Sequence, residues 1–293
     1  MWGYGLSLPF ILAALVLVGV PLVWSAYLAF TTFDGFNPPQ WTGLANWVLL
    51  IHDPAVISAF RNIAFVALIF VPLQTFLGLG IALLLHQGLR AAGFLRAIYF
   101  LPAISPWMAV GIMWLALFNP EYGVINAVLG FLHLPQGLWL DSPHWEVFQA
   151  IVAVANTWKG VGYCVVLFVA GLQSLPKELL EAAEVDGAGR WRSLWHITLP
   201  LLSPSTFMVL VLSTIAASQI FDPILVLSGG GVATNTGGLP MSQVVPTVLL
   251  YGQGFGLGHL GYANTIAWAL FICLAALVLM QRRLERRWVH YER

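Results

Sequence analysis

Long apolar stretches separated by short polar ones run along the whole chain, and this pattern predicts helices that cross a membrane. Six stretches reach or approach the roughly 20 residues that a bilayer requires: Leu6–Phe30, Asn62–Leu85, Ala97–Phe118, Phe148–Leu172, Pro204–Leu227 and Gly261–Met280. The first stretch lacks a basic start and a small-residue cleavage site, so we expect a span rather than a signal peptide. The predicted fold class is an all-α integral membrane protein with six transmembrane helices in a single domain, residues 1–293.

Composition supports a membrane protein, and the distribution of charge predicts its orientation. Hydrophobic residues make up 59% of the chain and charged residues only 8%, which does not describe a soluble domain. Ten of the twelve lysines and arginines fall after the second span, after the fourth span or at the C-terminus: Arg90, Arg96, Lys177, Arg190, Arg192, Arg282, Arg283, Arg286, Arg287 and Arg293. The positive-inside rule makes these segments, and therefore both termini, cytoplasmic.

The polar segment between the fourth and fifth spans predicts a helix–turn–helix, here called the EAA element (residues 175–203). Its first helix is amphipathic and carries a glutamate at every third position: Glu178, Glu181 and Glu184. Gly187 and Gly189 are predicted to end that helix, because glycine accepts the left-handed closing conformation. A second short helix, Trp191–Ile197, should follow until Pro200 breaks it. Such an element either binds a partner protein or lies on the lipid headgroups.

A signature in the EAA element carries a resemblance to a known family. Glu181-Ala182-Ala183, then Gly187, then Ile197-x-Leu199-Pro200 resembles the EAA signature of bacterial ABC-importer permeases, and AGLQSLPKELLEAAEVDGA resembles the subfamily for sugars and glycerol phosphates, the maltose-transporter type. The resemblance implies a type I importer permease in a bacterial or archaeal inner membrane. It also implies that Glu181, Ala182, Ala183, Asp186 and Gly187 contact an ATPase.

The partners expected from the resemblance are a second permease, two ATP-binding subunits at the cytoplasmic face and an extracytoplasmic solute-binding protein. ATP and Mg²⁺ would be used by the ATPase, and we expect no cofactor on this chain and no nucleic-acid partner. The sequence agrees with an ATPase on a separate chain, because neither of its two lysines, Lys159 and Lys177, follows a phosphate-binding GxxxxGK[ST] run. No G-x-S-x-G or H-E-x-x-H motif marks a catalytic centre, so a membrane enzyme is disfavoured.

Polar residues inside the fourth and fifth spans are the candidate substrate path. Asn156, Gly160 and Tyr163 recur at i, i+4 and i+7 and share one helical face. Maltose-type permeases place their sugar site on this part of the fourth span, so the resemblance implies the same use here, with Gln219 on the fifth span. At or near Ala216 this chain has alanine where that family has a polar residue in its site. Hydrogen bonding between helices without ligand contact is the alternative.

Lys159 and Asp222 are charged residues within predicted spans, where an unpaired charge is costly. We predict that they form an ion pair or share a water-filled cavity. The alternative is that Lys159 faces the path and attracts an anionic substrate. A self-contained secondary transporter, with Asp222 as its coupling acid, is the competing function, but it leaves the EAA element unexplained.

Two further features of the sequence remain open. Tryptophans in the loops predicted to lie outside, Trp41, Trp47, Trp139 and Trp145, are typical of an interfacial belt, although they would also suit sugar faces. The outer segment GGGVATNTGG resembles a glycine-rich loop that, in the family, contacts the binding protein. Cys164 and Cys273 fall in apolar runs and are interpreted as small core residues.

Overall fold

A computed structural model describes residues 2–86, 92–229 and 239–289, and most of them are helical. The first eight helices are α1 (Trp2–Ala14), α2 (Val20–Leu28), α3 (Ala45–His52), α4 (Pro54–His86), α5 (Ala92–Ile104), α6 (Trp107–Leu117), α7 (Val124–Phe131) and α8 (Trp145–Gln173). The others are α9 (Lys177–Val185), α10 (Arg190–Ser193), α11 (Leu199–Leu201), α12 (Ser203–Ser218), α13 (Asp222–Leu227), α14 (Pro246–Tyr251) and α15 (Leu260–Trp288).

Three π-helical turns and one small β-ribbon complete the described structure. The π-helical turns are Leu15–Gly19, Leu194–Thr198 and Gly252–Gly256. Strands β1 (Thr31–Thr32) and β2 (Gln40–Trp41) pair antiparallel, with Thr31 opposite Trp41 and Thr32 opposite Gln40. The ribbon therefore closes the loop that follows the first predicted span.

Four helical stretches are long and apolar enough to cross a membrane: Ser7–Leu28, Pro54–His86, Trp145–Gln173 and Leu260–Arg286. Two bent pairs of helices bring the number to six if each pair forms one span: Ala97–Ile104 with Trp107–Leu117, and Arg190–Leu201 with Ser203–Ser218. The helical class of the sequence prediction is confirmed, while its third and fifth spans are broken rather than continuous.

The breaks have a common cause in proline. The third predicted span bends by 107° between Ile104 and Trp107. Pro106 disfavours helical geometry at Ser105 and removes one backbone donor. The fifth predicted span, Pro204–Leu227, is wrong as one helix, because α12 ends at Ser218 and α13 begins at Asp222. The ring of Pro223 would clash with the carbonyl of Gln219, four residues earlier, in a continuous helix.

The chain forms two compact units, and the larger comprises residues 62–229 and 273–293. Helix α8 lies in its core, in a cluster of buried residues: Ala82, Leu85, Val161, Cys164, Val165, Phe168, Leu172, Leu202 and Val209. Glycines allow neighbouring backbones to approach α8 closely, since a Cβ on Gly162 would lie 2.8 Å from the carbonyl oxygen of Tyr99. Gln281 donates from Nε2 to Thr214 Oγ1 at 2.8 Å and so joins α15 to α12.

The other compact unit comprises residues 1–61 and 230–272, of which 230–238 lie outside the described part. Its core consists of Leu50, Ala55, Val56, Ala59, Val244, Leu249, Tyr262 and Ile266. Thr265 donates to the carbonyl of Ala29 at 2.9 Å, and Trp268 Nε1 donates to Ser25 Oγ at 2.9 Å. Most of Ser7–Leu28 is exposed apolar surface, as expected of a helix that faces lipid.

The two cysteines differ in their surroundings. Cys164 is buried, as the interpretation of a small core residue requires. Cys273 is exposed, so the same interpretation is wrong for it. Its apolar neighbours in the sequence lie on a helix whose outer face is also apolar, which the sequence pattern alone did not distinguish from a core.

Gly162→Ala should destabilise the protein by about 1–3 kcal/mol, because the added methyl group has no room beside the Tyr99 carbonyl. Gly80→Ala is the matched control: its Cβ meets no atom within 4 Å, and alanine favours the helix. Thermal unfolding in detergent measures both variants in a Cys273→Ser background, where a thiol-reactive dye labels only Cys164 as its burial is lost. Equal unfolding midpoints would contradict the close approach of α5 and α8.

Candidate functional site

The larger unit contains a cavity of about 780 Å³, here called the Lys159 cavity. Helices α4, α5, α6, α8, α12 and α13 all contribute to its wall. All six residues predicted for the substrate path line it: Asn156, Lys159, Gly160, Tyr163, Gln219 and Asp222. Its volume lies in the range of about 300–1,000 Å³ that small-molecule sites occupy. The structure therefore brings the predicted residues together at one site large enough for a sugar.

Breaks in two helices supply part of the cavity wall. Gln219, Ile220 and Phe221 lie between α12 and α13, where the chain leaves helical geometry, and all three line the cavity. Asp222 begins α13, where a carboxylate interacts favourably with the amino end of a helix. Ala216 also lines the wall, at the position where the sequence departs from the family pattern.

Lys159 contacts the break between α5 and α6. Its ammonium group donates to the carbonyl oxygens of Ala103 at 3.0 Å and Pro102 at 3.4 Å, and it lies 5.4 Å from the ring centre of Trp107. In a continuous helix the Pro102 carbonyl would accept from residue 106, which is a proline without a backbone N–H. The Ser105 N–H donates to the same Pro102 carbonyl at 3.2 Å, so the ammonium is its second donor, and the Trp107 ring adds a cation–π contact.

The predicted ion pair between Lys159 and Asp222 is not formed in the described part of the chain. Backbone carbonyls take the place of the carboxylate as partners of the ammonium group. The second form of the prediction, a shared cavity, agrees with the structure, because both residues line the Lys159 cavity.

Sequence reasoning missed Gln74, Phe100 and Trp107, which also line the cavity. Gln74 lies on α4 and donates from Nε2 to Cys164 Sγ at 2.9 Å and to the Gly160 carbonyl at 3.3 Å. Its Oε1 is buried without a hydrogen-bond partner among the described residues. A lone amide in the middle of an apolar span is costly, and that signal would have identified Gln74.

Aromatic residues line the cavity together with the polar ones. Phe100 and Tyr163 meet edge to face, with ring centres 6.0 Å apart. Asn156 donates to the Val152 carbonyl at 2.8 Å within its own helix. This hydrogen bond leaves the Asn156 side-chain oxygen as an acceptor. A wall of aromatic faces and amide groups suits the apolar faces and hydroxyl groups of a carbohydrate.

The EAA element forms the second candidate site, and its first helix ends as predicted. Gly187 has a φ of +75°. Ala188 donates to the Ala183 carbonyl at 2.9 Å, and Asp186 donates to the Ala182 carbonyl at 3.0 Å. The first of these bonds, with glycine at the left-handed position, defines a Schellman closure of the helix. Glycine is required because other residues rarely adopt this φ.

The surface of the EAA element is polar on one face and apolar at its edge. Glu178, Glu181, Ala182 and Asp186 are exposed, and Ala183 is buried. The side chain of Glu184 lies outside the part of the chain that the structure describes. Three large apolar side chains are strongly exposed: Val185 (87%), Trp191 (74%) and Trp195 (61%). Exposed apolar side chains of this size mark a surface that binds another molecule.

The second half of the EAA element differs from the prediction. Gly189 has a φ of −65° and caps the start of α10 instead of ending α9. The helix does not stop at Pro200, because Leu194–Thr198 widens into a π-helical turn and Pro200 falls in the first turn of α11. The chain bends by 63° at Leu202 instead, where Ser203 Oγ donates to the Pro200 carbonyl at 2.6 Å.

The outer glycine-rich segment that resembles a binding-protein contact lies largely in residues 230–238, outside the described part of the chain. Its role remains a prediction from the sequence.

Apolar membrane helices, a solute-sized cavity among them and an exposed amphipathic element define a membrane transport protein of the permease class. The family model described as the binding-protein-dependent transport system inner membrane component matches residues 74–290. The chain belongs to this family of non-catalytic transport permeases, and it is therefore a membrane component of an ABC transporter.

Curated relatives extend the similarity over nearly the whole chain. The chain is 33% identical to the sn-glycerol-3-phosphate transport system permease protein UgpA of Agrobacterium fabrum, covering 97% of this chain and 96% of that protein. It is 32% identical to the trehalose/maltose transport system permease protein MalF of Thermococcus litoralis, covering 97% and 93%. It is also 33% identical to the sulfoquinovosyl glycerol transport system permease protein SmoG of Agrobacterium fabrum, covering 88% and 82%.

Solved structures agree on the fold. The chain superposes with a TM-score of 0.82 on a crystal structure of a bacterial ABC transporter involved in the import of the acidic polysaccharide alginate. The match covers 97% of this chain and 94% of that one at 23% sequence identity. At this identity the likeness establishes the importer-permease fold and leaves the substrate of this chain open.

Lys159→Met should lower the free energy of unfolding by about 1–3 kcal/mol, because the Pro102 and Ala103 carbonyls lose a charged donor. Asp222 is not that partner, so Lys159→Met with Asp222→Asn should match the single variant within about 0.5 kcal/mol. Lys159→Arg, which keeps the charge and the donors, is the control. Recovery of stability in the double variant would show that the ion pair forms after all.

Proposed function

We propose that this chain is one of two permease subunits of an ATP-driven importer. Together with a second permease it forms the membrane pathway for a sugar, an oligosaccharide or a glycerol-3-phosphate-type solute. An extracytoplasmic solute-binding protein delivers the solute, and two ATP-binding subunits bind at the cytoplasmic face. The observation that carries the proposal is that one chain contains both a solute-sized cavity lined by polar and aromatic side chains and an exposed EAA element.

The proposed topology has six spans with both termini in the cytoplasm of a bacterial or archaeal cell. The four continuous helices supply four spans, α5 with α6 supplies another, and α12 with α13 supplies the remaining one. The positive-inside rule supports the orientation, since the basic residues cluster in the second loop, the EAA element and the C-terminal tail. The EAA element then lies in the cytoplasm, where ATP is available.

The EAA element is the proposed contact with the ATPase. Glu181, Ala182 and Asp186 are exposed on or beside α9, and Gly187 closes the helix. Val185, with 87% of its surface exposed, provides an apolar anchor of the kind that inserts into a groove on a partner. The sequence carries no phosphate-binding loop, so ATP and Mg²⁺ belong to the partner subunit and this chain binds no cofactor.

The Lys159 cavity is the proposed substrate site. Amide groups of Asn156 and Gln219 would recognise hydroxyl groups, and the rings of Phe100 and Tyr163 would stack on sugar faces. Lys159 and Asp222 bring one charge of each sign to the wall, and the Lys159 ammonium would suit a phosphate group while the amides and rings suit a sugar. The names of the relatives, which transport trehalose or maltose and glycerol phosphate, support this substrate class.

Gly187→Trp should reduce ATP-driven uptake by about tenfold or more, as expected when the anchor of an interface is disrupted. The measurement is solute uptake and ATP hydrolysis by the reconstituted transporter. A Cβ at Gly187 meets no atom of this chain within 4 Å, so a bulky side chain would disturb the partner rather than the packing of the permease. We expect ATP hydrolysis that no longer responds to the solute.

Gly187→Ala is the matched control, because alanine carries the backbone strain of a side chain at a φ of +75° without the bulk of tryptophan. Its uptake should stay close to that of the wild type, which separates backbone strain from interference with docking. Normal uptake in Gly187→Trp, or ATP hydrolysis by this chain without partner subunits, would refute the proposed function.

A further inference from the structure

Gln74 lies in the wall of the Lys159 cavity, in the middle of an apolar helix. In residues 63–85 only Gln74 and Thr75 carry polar side chains. The Thr75 hydroxyl donates to the Val71 carbonyl of its own helix at 2.7 Å. The Gln74 side chain is longer and 95% buried, and an amide at this depth of a membrane span is costly unless its polar atoms have partners.

The nitrogen of the Gln74 amide is held by α8. It donates to Cys164 Sγ at 2.9 Å and to the Gly160 carbonyl oxygen at 3.3 Å. These two bonds use both amide hydrogens. Because a backbone carbonyl can only accept, the nitrogen must face it, and this assigns the orientation of the amide.

The oxygen of the same amide has no such partner. Gln74 Oε1 is buried and accepts no hydrogen bond from the described residues. A buried acceptor without a donor costs free energy that the packing of α4 on α8 does not recover. A Cβ at Gly160 would lie only 3.1 Å from Oε1, so glycine at this position leaves room beside the oxygen that any other side chain would crowd.

Asn156 places a second amide on the same part of the wall. It lies one turn, about 5.4 Å, before Gly160 on α8, and its Nδ2 is engaged by the Val152 carbonyl at 2.8 Å. Near Gly160 the cavity therefore presents amide oxygens, which only accept. A hydroxyl group can donate to them, whereas a carboxylate or a dianionic phosphate offers acceptors alone.

We infer that Gln74 is a specificity-determining residue, whose Oε1 accepts a hydrogen bond from a hydroxyl group of the transported solute. The inference rests on the proposed function, because it places the solute in the Lys159 cavity. It adds that the solute carries a free hydroxyl group and that this group, not an anionic one, faces α4. A site built to bond a hydroxyl group discriminates strongly against an analogue that lacks it.

A purely structural role is the competing explanation. In that case the Gln74 amide only joins α4 to α8, and a water molecule serves as the donor to Oε1. Loss of the amide would then weaken the binding of every solute by the same factor. A specificity-determining role instead removes the discrimination at one hydroxyl position, and this difference can be measured.

Isothermal titration calorimetry on the full chain in lipid nanodiscs makes this measurement. The probes are trehalose, maltose and sn-glycerol 3-phosphate, and the tightest binder is the parent solute. The parent is compared with analogues in which hydrogen replaces one hydroxyl group at a time. At least one analogue should bind the wild type tenfold or more weakly than the parent does.

Gln74→Met removes the amide at nearly unchanged side-chain length. The variant should bind the parent about tenfold more weakly than the wild type does, and it should bind the parent and that one analogue equally. Gly160→Ala is an independent variant that keeps Gln74 and adds a methyl group 3.1 Å from Oε1. It should reduce the discrimination at the same hydroxyl position.

Gln149→Met is the matched control, because Gln149 is a fully buried glutamine of α8 that does not line the Lys159 cavity. Its discrimination between the parent and each analogue should equal that of the wild type. Loss of discrimination in Gln149→Met would show that any buried amide has this effect and would overturn the inference.

Two results separate failure of the inference from failure of the proposed function. If a parent solute binds the wild type but Gln74→Met or Gly160→Ala keeps the full discrimination, the inference is overturned and the proposed function stands. If none of the three probes binds the wild type, the proposed substrate class is contradicted, and the inference falls with it.

Discussion

The hydrogen bonds from the Lys159 ammonium to the Pro102 and Ala103 carbonyls are the interaction on which the Lys159 cavity depends. Inside a membrane every backbone polar group needs a partner, so a helix can bend sharply only where something replaces its lost bonds. Pro106 removes one backbone donor at the bend between α5 and α6. The Ser105 N–H donates to the Pro102 carbonyl instead, and α8 adds a charged donor to the Pro102 and Ala103 carbonyls through Lys159. The same charge that is costly in a membrane span thereby makes the bent helix tolerable there.

Close packing and broken helices act together around α8. Gly162 lets the backbone of α5 approach α8, because a Cβ there would lie 2.8 Å from the Tyr99 carbonyl oxygen. Residues 219–221 leave space instead of close packing, because the helix is interrupted there and these residues line the cavity. One side of α8 is therefore tightly packed, and the other side faces a space large enough for a solute. Helix α8 therefore contributes residues both to the core and to the candidate substrate site.

The sequence predicted what depends on local patterns and missed what depends on tertiary contacts. Long apolar runs located the spans, and the left-handed preference of glycine placed the end of α9 at Gly187, although Gly189 was wrongly predicted to share that role. Asp222 was wrongly predicted as the partner of Lys159. A sequence shows which side chains are charged, but it does not show which backbone carbonyls will lie beside the ammonium group. Gln74 was missed because its partners on α8 are distant in the chain. Pro200 was misassigned, because a π-helical turn before it let the helix continue.

Cysteine cross-linking in the assembled transporter tests the central claim most directly, namely that the EAA element contacts the ATPase. In a Cys273→Ser background, which removes the exposed native thiol, Ala182→Cys offers a reactive group on the exposed surface of α9. The account predicts that it cross-links to the ATP-binding subunit, while Glu121→Cys in an outer loop does not. Cross-linking at position 121 in place of position 182 would contradict the account.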